Sequence, residues 1–458
     1  MTSDTMDGGR PDDSQAGPRA PSGSAGPSRP SGPLTFSPGP RRADDRRIVV
    51  LSVVVAALYL VAAAGAAAAV TAGAQAVPSP VWLPLHLALA GGASTAIAGV
   101  MPFFVAALSA GRPAPARLRL AAVLMVAAGA ALVATHGIDP GLALGLPLSA
   151  IGGVVFLGGI AATAASVRRS GRGGLMARRP IVTAGYLLAL GNVGVGATLG
   201  TLVVAGWTPV LLNLVRVRAA HAWTNLIGFV SLVILSTLLH FLPTVLGTRI
   251  VPRRSATVAV LGVALGSPLV VVGDLTRVGA IAGGGAALTL VGIAGLVAEA
   301  RAVRAARGRW TTDAGWHLLA SGGLLAGVGW FAVGAGAASA LVLARSVGLV
   351  GDDLAWRSQL VAGPLAIGWV VQVLVASWTH LLPSIGPGGP VEHAAQRVVL
   401  GRAARPRLVA LNLGAVLVSV GWPLDLGPLV AAGAALAAIA VVASASLAWS
   451  ALGVRARR

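Results

Sequence analysis

The 458-residue chain contains no cysteine and no lysine. Without thiols there is no disulfide, no thiolate metal site and no cysteine-held iron–sulfur cluster, so the redox compartment leaves no mark. All 34 basic residues are arginine, a bias that suggests a GC-rich bacterial genome more than a chemistry. Charge is scarce at 10% of residues, where a soluble domain carries roughly a quarter. Acids are scarcer still: fourteen in all, six of them before residue 46. The other eight (Asp139, Asp274, Glu299, Asp313, Asp352, Asp353, Glu392 and Asp425) fall at the ends of apolar runs or between them. None sits mid-run, where proton relays and cation-coupled carriers keep an ionisable group. That argues against a proton pump and, more weakly, against a proton-coupled transporter. No glycine-rich stretch follows a strand pattern, so no phosphate or dinucleotide cradle is expected.

What the chain has in abundance is apolar sequence, 56% of its residues. Residues 1–47 are instead rich in Pro, Gly and Ser, too polar to offset their ordering entropy, and read as a disordered cytoplasmic tail. They do not read as a signal peptide, because the first apolar run begins only at Ile48 and is long enough to span. From there, runs near 48–74, 83–110, 117–136, 141–166, 181–206, 219–246, 255–273, 278–300, 314–344, 355–383, 406–421 and 427–450 each approach the roughly 20 residues needed to cross a bilayer. The expected fold is an all-α polytopic membrane bundle of about twelve transmembrane helices filling residues 48–458. Trp82, Trp207, Trp223, Trp316, Trp356 and Trp422 lie near run ends, as an interfacial aromatic belt would.

Arginines between the runs set the expected orientation. The even-numbered connections and the C-terminal tail hold 22 of them, from Arg112 through Arg254 and Arg309 to Arg458. The odd connections hold five: Arg216, Arg218, Arg277, Arg345 and Arg357. By the positive-inside rule both termini are cytoplasmic, in a bacterial plasma membrane. The same distribution explains most of the formal charge of +20 without a nucleic-acid partner. The lipid bilayer is the partner expected.

An internal repeat runs through the twelve spans. His240-Phe241-Leu242-Pro243 recurs as His380-Leu381-Leu382-Pro383, and at the same shift Gly228-Phe229-Val230 matches Gly368-Trp369-Val370. A weaker third copy is Met101-Pro102-Phe103-Phe104. These prolines fall in spans two, six and ten, so the chain reads as three four-helix repeats, about 48–170, 180–305 and 313–450.

Two segments then become familiar: His221-Ala222-Trp223-Thr224-Asn225-Leu226-Ile227-Gly228-Phe229, and Phe241-Leu242-Pro243-Thr244-Val245-Leu246-Gly247-Thr248-Arg249. With the twelve helices in three arcs, they resemble heme-copper oxidase subunit I and the related NnrS-like membrane proteins. The resemblance is closest to the membrane region of actinobacterial nitrite-reductase-like copper oxidases. It spans residues 48–458 in architecture and mainly spans six and ten in motif. It implies heme or copper binding, a role in electron transfer or in nitrogen-oxide or copper metabolism, and a separate cupredoxin or copper-oxidase redox partner on the outer face. The chain departs from subunit I in several places. Span seven has no histidine pair, and neither tyrosine, Tyr59 or Tyr186, lies in span six. Span ten offers Gln359 and Gln372 where two histidines are expected. No cupredoxin-like domain is expected after the last span, and without those histidines and that tyrosine an oxygen-reducing centre of the known kind is not expected. Whether the chain is an enzyme stays open. A transporter or metal-handling permease without heme, and a structural membrane subunit, are the alternative readings.

The seven histidines are the main ligand candidates, since imidazole suits Fe, Cu and Zn. His86, near the outer end of span two, resembles the low-spin heme ligand of subunit I; the plainer reading is an interfacial histidine bonded to a carbonyl or a lipid headgroup. His221 begins span six just after Arg216 and Arg218, whose guanidinium groups suit heme propionates. An ordinary helix start beside a solvated basic patch is the plainer alternative. Both histidines are candidate metal ligands. His240 and His380 are further candidates, with the competing reading that they bond carbonyls freed by the nearby prolines. His136 and His317 read as interfacial, and His393 as a loop residue. Measured from their prolines, His86 and His221 differ by six residues, about 9 Å of helix, so a single axial histidine is expected rather than a shared pair. Asn225, one turn from His221, is the expected second partner of that ring, and none is evident for His86. Gly196-x-x-x-Gly200 in span five reads as close helix packing.

Overall fold

In lipid every backbone polar group must be satisfied within the chain, and for apolar runs this long the helix achieves it locally. The structure, a computed structural model, describes residues 40–71, 81–109, 112–139, 141–144, 146–171, 180–307, 316–351 and 361–454. The tail before residue 40, Arg172, Arg178, Arg179, Arg309, Asp313, Asp352, Asp353, Trp356, Arg357, Gln359 and the terminal arginines lie outside them, as does the side chain of Trp316.

Among the described residues, twelve helices are long and apolar enough to cross a membrane: α1 Asp45–Thr71, α2 Trp82–Leu108, α3 Ala116–Gly137, α4 Leu148–Ser170, α5 Ile181–Val204, α6 Leu214–Val245, α7 Arg254–Thr276, α8 Gly279–Ala305, α9 His317–Ser346, α10 Ala362–Ile385, α11 Ala404–Gly421 and α12 Gly427–Leu452. The chain is an all-α, multi-pass membrane bundle. Of the boundaries that differ from those the composition marks, two have a visible cause. The first helix starts at Pro40, ahead of Ile48, and is tied down where Asp45 pairs with buried Arg119 of α3. Helix α4 starts at Leu148 rather than 141, because Ala143–Leu144 and Leu146–Pro147 form a small antiparallel bridge ahead of it.

Helices α2, α6 and α10 form the centre. In α6, 94% of the most apolar window is buried, and in α2 and α10 72%; the other nine range from 28% to 56%. The third and fourth helices of each unit pack on one another (α3 with α4, α7 with α8, α11 with α12), the first two of these more extensively than any other pair. Glycine brings these backbones together: a Cβ on Gly129 would lie 2.5 Å from the Phe156 nitrogen, and one on Gly292 2.7 Å from the Val263 nitrogen. Between units, α4 meets α5, α8 meets α9, and α12 returns to α1, closing the ring.

Each central helix contains a π-helical segment, where carbonyls bond five residues ahead: Leu87–Ala93, Thr224–Ser231 and Ala362–Val371. The three segments touch one another pairwise. The Trp369 indole donates to the Ser231 hydroxyl at 2.9 Å, joining the second to the third. Their starts are 137 and 138 residues apart, which defines the register of the repeat at the axis. Pro102, Pro243 and Pro383 all lie inside the central helices, but Pro102 and Pro243 are 141 apart. Relative to the π segments, the first proline is thus displaced by about one turn. Ring contacts agree: Phe104 meets His240 at 5.1 Å and Phe241 at 6.0 Å, and Phe241 meets His380 at 5.5 Å.

Candidate functional site

At the arginine-poor face, the start of α2, the end of α3 and the start of α6 bring three histidines and a tryptophan together. Trp82 opens α2, and one turn later His86 points its Nδ1 at the Trp82 carbonyl, 2.8 Å away. The Trp82 ring stacks on His86 with centroids 3.8 Å apart and meets His136 of α3 edge-on at 5.5 Å. Gly137 leaves room for it, since a Cβ there would come within 2.9 Å of the indole. Trp82 is thus a wall of the site as well as an interfacial residue. Trp223, expected in the aromatic belt, is instead buried at 2% exposure, one residue before the second π segment.

His221 lies in α6, against α5. Its Nδ1 is 2.8 Å from the Gly196 carbonyl, and Asn225 donates to the His221 carbonyl at 2.8 Å. Gly196-x-x-x-Gly200 is the bed for these side chains: a Cβ on Gly200 would sit 2.6 Å from the His221 ring, and one on Gly196 2.6 Å from the Asn225 amide. The motif does serve close packing, but of a histidine and an asparagine against a helix.

The rings of His86 and His221 are nearly parallel, 13° apart, with centroids separated by 6.1 Å. The expected offset of about 9 Å is not seen, because it was measured from prolines that are themselves out of register. A carbonyl oxygen only accepts, so each Nδ1 carries the hydrogen, and in the neutral ring the Nε2 lone pair is left available. Imidazole nitrogen suits Fe, Cu and Zn, so two neighbouring rings whose Nε2 atoms are not engaged by these carbonyls are candidate metal ligands. Among the described residues no group of three or more His, Asp or Glu side chains is placed to hold one metal ion.

The remaining candidates are placed elsewhere. Arg216 donates to the Asp274 carbonyl at 3.3 Å, at the end of α7, where Asp274 also pairs with Arg345 of α9; Arg218 is exposed. His240, 3% exposed, and His380 lie in the arginine-rich half, against Phe104 and Phe241 respectively. His317 is buried at the start of α9, and His393 lies on the short helix Pro390–Gly401. Gln372 is buried in α10 and donates to the Gly323 carbonyl at 3.3 Å. Two partners escaped the sequence: the Trp82 carbonyl, whose one-turn spacing from His86 was the available signal, and the Gly196 carbonyl, which comes from another helix 25 residues away.

No protein-family model matches the chain, and no curated protein matches it in sequence.

Proposed function

We propose that the chain is a redox or electron-transfer component of a bacterial plasma membrane that binds heme or copper through His86 and His221. Both termini are cytoplasmic in this reading, which follows the arginine distribution, and the histidine pair faces the outer side. The observation that carries it is the pair itself: two nearly parallel imidazoles 6.1 Å apart, each with its Nδ1 held by a backbone carbonyl. Backbone partners of this kind orient a ligating ring and set its tautomer. A heme iron or copper bound there would supply a one-electron couple. The protein's part is to fix the two rings and to wall the site with Trp82. A cupredoxin-like partner at the outer face would exchange electrons with it, and the chemistry served would be nitrogen-oxide or copper metabolism.

The test is an absorption spectrum and metal analysis of the protein purified after expression with ample heme and copper. A Soret band, or about one copper per chain, is expected. Protein containing neither would overturn the reading and leave a transporter or a structural subunit.

A further inference from the structure

At the junction of the first two repeat units, α4 and α5 part to leave an open groove of ≈ 390 Å³ on the outside of the bundle. Leu157, Ile160, Leu187 and Leu190 are its walls, and Gly191 and Gly194 line it. A Cβ at either glycine would meet no atom within 4 Å, so the space is left by missing side chains rather than by a close helix contact. At the far end of the same junction the helices do touch, where a Cβ on Gly153 would lie 2.1 Å from the Thr201 hydroxyl. The groove runs along twelve residues of each helix, Leu157 to Arg168 and Leu187 to Thr198. That is about 16 Å, half of a hydrocarbon core of ~30 Å and so the depth of one leaflet.

Its arginine-rich end is closed by Arg168, which is exposed and makes no ion pair among the described residues. Arg169 is its neighbour, and the connection between α4 and α5 adds Arg172, Arg178 and Arg179 with no acid. A slot one leaflet deep, apolar along its length and cationic at headgroup level, matches a lipid with a negative headgroup. We infer that this groove binds one anionic phospholipid, an acyl chain lying over Gly191 and Gly194 and the phosphate paired with Arg168. The site is independent of the metal reading, since its residues lie outside the histidine pair.

Native mass spectrometry of the purified chain, offered phosphatidylglycerol and phosphatidylcholine of matched chains, tests the inference. The wild type is expected to retain one phosphatidylglycerol in preference to phosphatidylcholine. Arg168→Ala is expected to lower that retention about fivefold, as one arginine's attraction to an anionic headgroup implies, with phosphatidylcholine unchanged. Gly194→Leu fills the groove without a clash and should abolish retention of both lipids. Arg254→Ala, which removes another exposed arginine of the same face, should behave as wild type. Equal retention of the two lipids by the wild type would overturn the inference. So would undiminished phosphatidylglycerol on Gly194→Leu, or a dimer mass that Gly194→Leu abolishes, which would make a second copy of the chain the occupant.

Discussion

An imidazole that gives its Nδ1 hydrogen to a carbonyl keeps the Nε2 lone pair for something else, and His86 and His221 both do so. Their carbonyls come from different sources: Trp82 lies one turn back on the same helix, and Gly196 lies across the α5–α6 contact. The two rings therefore fail in different ways when disturbed. His86→Ala and His221→Ala should each eliminate stoichiometric heme or copper, read by the Soret band and by metal analysis. Gly200→Ala is subtler, because the added methyl meets the His221 ring at 2.6 Å and must displace it. Misorienting a ligand this way should weaken metal affinity roughly 10- to 100-fold, the range seen when a ligand's support is lost. A competitive chelator titration on the folded variant measures it. His240→Ala removes a ring packed on Phe104 in the other half of the membrane. It should leave metal content unchanged and lower stability by roughly 1–3 kcal/mol, as cavity-forming changes do.

At the scale of the helix, the number of spans was legible because each is an uninterrupted apolar run, and lipid imposes that pattern on the residues themselves. Alignment at the axis was legible only in part. The shift of 140 between His240 and His380 agrees with the 138 between the second and third π segments to within two residues. Pro102 misled, because a proline can sit at several depths of a helix whose ends are free to lengthen, and α6 has 32 residues against 27 in α2. The π segments had no sequence signature beyond their glycines, since a one-residue insertion in the hydrogen-bond ladder is decided by packing against neighbours. One example is the Tyr59 ring, 2.2 Å from where a Gly91 Cβ would be. For the same reason His86 and His221 were identifiable one by one but not as a pair. Packing of the outer helix pairs makes a sharper claim. Gly292→Leu drives a side chain into the α7 backbone and should cost about 1–3 kcal/mol or more, read as a lowered Tm in detergent. Gly284→Leu, on the exposed face of α8 with nothing within 4 Å, should stay within about 0.5 kcal/mol of wild type.

For the whole molecule, charge separates the two ends of the bundle. Arg119 with Asp45, and Arg253 with Glu299 at 2.7 Å, link helices at the arginine-rich end; Arg345 with Asp274 links α9 to α7 at the other. Both ends thus hold ion pairs, and what distinguishes them is the surplus of arginine left over. Orientation follows from the number of arginines at each end, paired or not, because the positive-inside rule counts Lys and Arg in short connections rather than net charge. The absence of cysteine makes orientation directly measurable, since any single introduced thiol is the only one in the chain. Asp139 and Arg254 are both exposed and lie at opposite ends of the bundle, three and six spans from the start. In intact cells, Asp139→Cys should react with a membrane-impermeant maleimide, while Arg254→Cys and Arg307→Cys should react only after the membrane is opened. An odd number of crossings separates Asp139 from each of the other two, so their patterns must be opposite if all twelve helices span. Labelling of Arg254→Cys from outside together with Asp139→Cys would mean that one of α4, α5 and α6 does not cross. The reverse pattern at all three sites would keep the twelve spans, invert the molecule, and turn the His86–His221 end toward the cytoplasm.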